Sequence, residues 1–127
     1  MIETAFHSLI LADSRFTDLA GTRLYPTILP DDPQLPAVTY QRITTVRTYS
    51  TTGPVSLNRV RLQFDIWAST YSQTKQLQAA LLTILEDYSL YSDTSIDSIR
   101  LDTVTDGYEH DARLYRVSMD FIVFVTE

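Results

Sequence analysis

The sequence predicts a two-layer α+β sandwich, ordered α-β-β-α-β-β, with a four-stranded, mainly antiparallel sheet and two helices on one of its faces. Three observations predict it. Leu57 to Ala68 is the clearest strand: Val60, Leu62, Phe64 and Ile66 alternate with Arg59, Arg61, Gln63 and Asp65. Arg113 to Val125 alternates in the same way, with Tyr115, Val117, Met119, Phe121, Val123 and Val125 against Arg116, Ser118 and Asp120. Two other stretches, 2–13 and 71–88, repeat apolar residues at helical spacing. Clean alternation belongs to a sheet with one face buried and one face wet.

Each element has its own warrant. Ile2, Phe6, Leu9 and Ile10 form one stripe of the first helix, which is expected to run to Asp13. Residues 14–36 then look irregular, because Pro26, Pro30, Pro33 and Pro36 interrupt any period and Asp31-Asp32-Pro33 is turn chemistry. Ala37 to Arg47 is rich in β-branched and aromatic residues and predicts a strand. Its alternation slips at Arg42-Ile43, as at a bulge. Residues 48–56, with Gly53-Pro54, read as a connecting loop to the Leu57–Ala68 strand, and the two strands as a hairpin.

Ser69 or Thr70 is placed to cap the second helix. Its apolar face is Leu77, Leu81, Ile84, Leu85 and Tyr88. A polar connection over 89–96 leads to a weaker strand, Asp97 to Thr105, and Asp106-Gly107 predicts the turn into the last strand. At least one of the polar segments 47–57 and 89–96 is expected to be disordered in the free subunit and to order against a neighbour.

The length of 127 residues, 44% of them hydrophobic, fits a single domain spanning 1–127. A chain of this size buries roughly two-thirds of its unfolded surface. With no Cys there is neither a disulfide framework nor a thiolate metal site. No apolar run approaches the ~20 residues of a membrane helix, so no membrane partner is expected. Met1-Ile2-Glu3-Thr4 lacks a basic segment followed by an apolar one, so no signal peptide is expected and the cytoplasm is the expected site of synthesis. The net charge of −6 is uneven. Residues 1–63 carry six Arg against five acids; residues 64–127 carry four basic residues against eleven acids. With only one lysine, Lys75, the chain is a poor nucleic-acid binder.

Catalytic signatures are absent. There is no phosphate loop, dinucleotide fingerprint, paired-histidine motif or nucleophile elbow. His7 lies on the first helix, where a partly buried or surface imidazole is the ordinary outcome. His110 sits between Glu109 and Asp111 near a turn, and such neighbours are common in loops. Eight carboxylates and one Arg lie between Glu86 and Asp111, but the spacing Asp93, Asp97, Asp102, Asp106 does not match a calcium loop. No catalytic residue, metal ligand or cofactor is therefore assigned. Tyr49, Tyr71, Tyr91 and Tyr108 fall near loops or element ends, where tyrosine suits protein interfaces. On the outward sheet face, Arg59, Arg61, Asp65, Arg116 and Asp120 offer complementary charge to a neighbouring subunit. With Tyr49 they are the candidate subunit contacts.

The pieces in their order resemble a known family. They are the opening Met1-Ile2-Glu3-Thr4-Ala5-Phe6, then Arg23-Leu24-Tyr25-Pro26, Leu29-Pro30 and Leu35-Pro36-Ala37-Val38-Thr39-Tyr40-Gln41. The Gly53-Pro54 loop leads into Arg59-Val60-Arg61-Leu62-Gln63-Phe64-Asp65-Ile66-Trp67-Ala68, followed by Ser69-Thr70-Tyr71. Tyr115-Arg116-Val117-Ser118-Met119-Asp120-Phe121 closes the set. Together they resemble the tail-completion or tail-terminator proteins of long-tailed phages and related tailed particles. Only 89–111 carries no part of the resemblance.

The resemblance implies a non-enzymatic structural protein of the virion tail and neck, made in the host cytoplasm. It implies a hexameric ring at the head-proximal end of the tail tube. Such a ring stops tube polymerisation, offers a docking surface to a head–tail connector or stopper protein, and lets DNA through without tight binding. Asp93, Asp97, Asp102 and Asp106 are then candidates to line the hole and repel phosphate, with Glu86 and Asp87 extending the acidic segment. Two alternatives stay open at this stage. One is another neck protein, such as a head-completion or connector subunit. The other is a small metal-dependent enzyme built on His110 and nearby acids.

Overall fold

The described residues form eight elements rather than six. A computed structural model describes residues 2–90 and 96–126. The order is α1 (Ile2–Leu11), α2 (Ser14–Ala20), β1 (Leu24–Pro26), β2 (Ala37–Ser50), β3 (Gly53–Ala68), α3 (Tyr71–Leu90), β4 (Ile96–Glu109) and β5 (Leu114–Thr126). The five strands form one sheet in the order β1-β2-β3-β5-β4. Only β1–β2 is parallel; the other three pairings are antiparallel.

The α+β class and the mainly antiparallel sheet hold, but the counts of four strands and two helices are corrected to five and three. Both extra elements lie in 14–36. Asp13 does not end the first helix; its carboxylate accepts from the Arg15 amide (2.9 Å) and caps α2. Leu24–Pro26 then pairs with Val38–Tyr40. Three residues are too short for a periodicity signal, and the pairing is with chain fourteen positions away. Pro26 is tolerated because β1 is an edge strand.

Two loop boundaries also move. The 48–56 segment is mostly strand: β2 runs to Ser50 and β3 starts at Gly53, leaving a turn at 51–52. Gly53 has φ 130°, in the region that favours glycine, which explains its place at this turn. Asp106-Gly107 is not a turn either. Asp106 pairs with Val117 and Gly107 with Arg116, so β4 continues to Glu109 and the chain reverses at 110–113. Cross-strand pairing with β5 overrides local turn propensity there. The predicted bulge is present: the β2–β3 register shifts between Arg42 and Thr44. Of the polar connection expected over 89–96, residues 91–95, with Tyr91 and Asp93, lie outside the described residues.

The core is one cluster between the helices and one sheet face. Val60, Leu62, Phe64 and Ile66 of β3, and Val117, Met119, Phe121 and Val123 of β5, are all buried, as the alternation predicts. They meet Ile2, Phe6 and Ile10 of α1, Phe16 of α2, and Leu77, Leu81, Ile84 and Leu85 of α3. Phe64 and Phe121 pack edge to face at 5.8 Å, and Phe6 packs likewise on Tyr88 at 5.8 Å. Two bulges in β4, after Ile96 and after Leu101, reset its alternation, so that Ile96, Ile99, Leu101 and Val104 all pack on the cluster.

Phe121→Ala should destabilise the chain by about 3–5 kcal/mol, since it removes a buried ring at the centre of the sheet. Denaturant unfolding of the purified protein checks this; a loss under ~1 kcal/mol would place the ring outside the packed core.

Candidate functional site

The face of the sheet away from the helices carries the sequence-predicted contact residues, and it is built as a polar network. Arg59, Arg61, Gln63, Asp65 and Trp67 alternate with the core residues of β3. Their neighbours on β5 are Phe124, Ile122, Asp120, Ser118 and Arg116. Two clusters result.

In the first, Asp65 is buried to 7% exposure and accepts hydrogen bonds from Gln63 Nε2 (3.0 Å), Arg116 Nη2 (3.3 Å) and the Ser118 hydroxyl. Arg116 lies over the Trp67 ring, 5.0 Å from its centroid, and its other terminal nitrogen reaches Glu109 (3.3 Å). Trp67 Nε1 donates to Thr39 Oγ1 (3.1 Å). In the second, Arg61 Nη1 bridges Asp102 (3.0 Å) and Asp120 (3.2 Å). The Asp102 hydrogen bond is the main reason the Arg61 guanidinium holds its proton more firmly than usual. Ile122, paired with both Arg61 and Arg100, is 1% exposed on this face although it is no part of the core cluster. A groove of about 340 Å³ runs along the face, lined by Gln63, Thr105, Glu109, Arg116, Ser118 and Asp120.

Four of the predicted contact residues, Arg61, Asp65, Arg116 and Asp120, therefore sit together and pair within the subunit. Arg59 is exposed on the same face. Tyr49 lies apart, 66% exposed near the tip of the β2–β3 hairpin.

The acidic candidates are not gathered in one row. Asp102 belongs to the polar face, through Arg61. Asp106 pairs with Val117, a core residue, and so points to the helix side. There it accepts from Lys75 Nζ (2.8 Å) and Tyr71 Oη (2.8 Å) in the first turns of α3. Asp97 is exposed at the first β4 bulge, and Asp93 lies outside the described residues. Glu86 is exposed, while Asp87 accepts from Arg15 of α2 (2.8 Å).

The two ends of the sheet differ. One end is the β2–β3 hairpin with Tyr49. The other is an aromatic group: Tyr108 packs on Tyr115 (4.9 Å) and on His110 (5.0 Å), and Tyr115 packs on Tyr71 (6.1 Å). Tyr71 and Tyr108 are 48% and 41% exposed, which leaves both available for contact. His7 is half-buried, with its Nδ1 3.1 Å from Tyr40 Oη. Among the described residues no group of three His, Cys, Asp or Glu is placed to hold a metal, and no helix is long and apolar enough to cross a membrane. The links Lys75–Asp106, Arg15–Asp87 and Arg42–Glu3 join distant parts of the chain and had no sequence signal.

Asp106 carries a pH signature. The Lys75 hydrogen bond first, and that of Tyr71 second, hold its carboxyl below the ordinary aspartate value. A lowered carboxyl contributes stability above its unfolded pKa and loses it as pH falls through the folded one. The Lys75 ammonium is raised, chiefly by Asp106, so its share persists at neutral pH and is lost only in strong alkali. Asp106→Asn should cost about 0.2–1 kcal/mol at pH 7, as for exposed pairs, and less at pH 3, below the ordinary aspartate value. Denaturant midpoints at the two pH values test it; an equal loss at both would mean that charge is not involved.

The family model of tail completion protein gp17 matches residues 4–126. No curated protein matches. Among solved structures, a chain of the virion of a native gene transfer agent particle has the same fold, with TM-score 0.82 over 99% of this chain and 95% of that one at 16% identity. The helix-backed sheet, with its polar face and tyrosine-bearing ends, is thus the fold of a structural protein of the tailed virion, and the chain belongs to the tail completion protein gp17 family.

Proposed function

We propose that the chain forms a closed hexameric ring at the head-proximal end of the tail tube, in the neck of the particle. The ring stops tube polymerisation and gives the head–tail connector or stopper protein a surface to dock on. The observation that carries this reading is the family match across 4–126. The geometry supports it in three ways. The sheet has two chemically different ends, one for the tube and one for the connector. At ~3.3 Å per residue, the sixteen residues of β3 separate those ends by about 50 Å. The ring's body is a rigid sandwich, and the exposed Tyr49, Tyr71 and Tyr108 supply rigid, amphipathic contact area at its ends. Tyr49 and Arg59 remain in this reading as contacts to neighbours. The paired charges Arg61, Asp65, Arg116 and Asp120 hold the face in shape.

DNA passes through the hole without being gripped. We assign the wall to the polar face, where Arg61 and Arg116 are each bound to two carboxylates. An arginine so engaged has little to offer phosphate, and counterion release then contributes little to binding. Asp97 and Asp102 are the acidic candidates that this arrangement keeps near the wall; Asp106 is turned to the helices.

Native mass of the purified protein, alone and mixed with tail tubes, tests the ring: six copies on a tube end, and no further tube growth, are expected. Tubes that keep elongating at saturating protein would overturn the reading. For the wall, Asp102→Asn with Asp120→Asn frees Arg61, and the mutant ring should retain DNA in a salt-sensitive way that the parent does not. Equal DNA retention by both rings would move the polar face away from the channel.

A further inference from the structure

The segment that follows β1 is strained, and it stands beside a hollow that it would fill. Thr27 has φ 65° although its side chain is β-branched. The Ile28 amide donates to the Pro26 carbonyl (2.7 Å), which makes Thr27 the centre of a γ-turn of the rare, strained kind. The Thr27 amide donates to the Tyr40 carbonyl (2.8 Å), so the turn begins where pairing with β2 ends. Ile28, thrown outward by the turn, is 75% exposed, more than any other large apolar residue among those described. Backbone strain and bare apolar surface thus fall on two successive residues.

The register of β1 shows where an unturned chain would go. Leu24, Tyr25 and Pro26 are level with Val38, Thr39 and Tyr40 in a parallel pair. Two more residues in that register bring Thr27 level with Gln41 and Ile28 level with Arg42. Side chains alternate along a strand, so Ile28 would face the same way as Leu24 and Pro26. Leu24 belongs to the core cluster, on the helix side of the sheet. Beside Pro26 lies a hollow of about 400 Å³. Glu3 and Thr4 of α1, with Thr27, Tyr40 and Arg42, help to line it, and the Arg42 guanidinium is held by Glu3 (3.1 Å). An extended Ile28 would enter this hollow beside Tyr40.

The connection is long enough to allow it. Residues 29–36 lead back to Ala37, and the Pro36 carbonyl is held by Arg23 Nε (2.8 Å). From the level of Arg42 to that of Ala37 is about 17 Å, and these eight residues can span ~26 Å. The swing costs the γ-turn bond and the slack of a segment stiffened by Pro30 and Pro33. It relieves the positive φ of Thr27 and the exposure of Ile28. Costs on both sides are the condition for two populated positions.

We propose that Thr27 and Ile28 form a latch with two positions. In the open position the γ-turn holds Ile28 in water. In the closed position β1 runs on by two residues, Thr27 leaves the left-handed region, and Ile28 fills the hollow between α1 and β2. Closing also extends the cover of β1 along β2 beyond Tyr40, which protects a strand flank from chance pairing. The latch lies within one subunit and stands or falls apart from the ring.

Methyl NMR of the free, full-length protein tests it. Ile28, assigned with Ile28→Val, should show a second methyl position, displaced by the Tyr40 ring current and in exchange with the first. Thr27→Gly frees the open turn of strain and should lower the closed population about 5- to 30-fold. The chain has no cysteine, so the pair Thr4→Cys with Ile28→Cys reports the closed position without interference. It should oxidise to an internal disulfide, and more slowly once Thr27→Gly is added. A single Ile28 position free of any Tyr40 ring shift, with a cysteine pair that stays reduced, overturns the latch. Exchange and oxidation that Thr27→Gly leaves unchanged overturn it as well, because the strained turn would then have no part in the movement.

Discussion

Three helices cover one face of a five-stranded sheet, and the described elements leave the other face uncovered. That asymmetry constrains every other feature. The covered face is apolar because burial drives the packing, and Val60, Leu62, Phe64 and Ile66 supply it from the central strand. The uncovered face has to satisfy its polar groups without a second layer. It does so sideways, along the sheet: Asp65 collects Gln63, Ser118 and Arg116, and Arg61 spans Asp102 and Asp120. The long side chains also shield apolar surface, as the burial of Ile122 shows.

Charge that is spent inside the subunit is not available outside it. This bears directly on a protein of the tail-completion family. A face of free arginines would bind phosphate, whereas arginines clasped between carboxylates are a poor substitute for the counterions of DNA. Exposed aromatic area stands instead at the ends of the sheet, on Tyr49, Tyr71 and Tyr108.

Helix placement follows from the same asymmetry. α1 and α2 meet through the Asp13 cap, and Arg15 carries that corner to Asp87 of α3. Glu3 receives Arg42, which pins α1 to β2 where the bulge begins. These exposed or half-exposed pairs contribute little stability individually.

The sequence by itself determined what depends on local spacing. Period-two alternation assigned the core faces of β3 and β5, helical spacing assigned the stripes of α1 and α3, and the slip at Arg42-Ile43 located a bulge. The resemblance of the ordered motifs pointed to the tail-completion family, which composition could not do. Tertiary structure decided whatever rests on pairing between distant segments. β1 is too short to show a period and exists because Leu24–Pro26 lies beside Val38–Tyr40. Asp106-Gly107 has turn chemistry, yet pairing with Val117 and Arg116 keeps it in a strand. That pairing also turned Asp106 toward Lys75 while Asp102 turned to Arg61, parting two aspartates that look equivalent along the chain. Sidedness in β4 is set by bulges, and the bulges are set by the neighbouring strand, so no reading of 96–109 alone contains it.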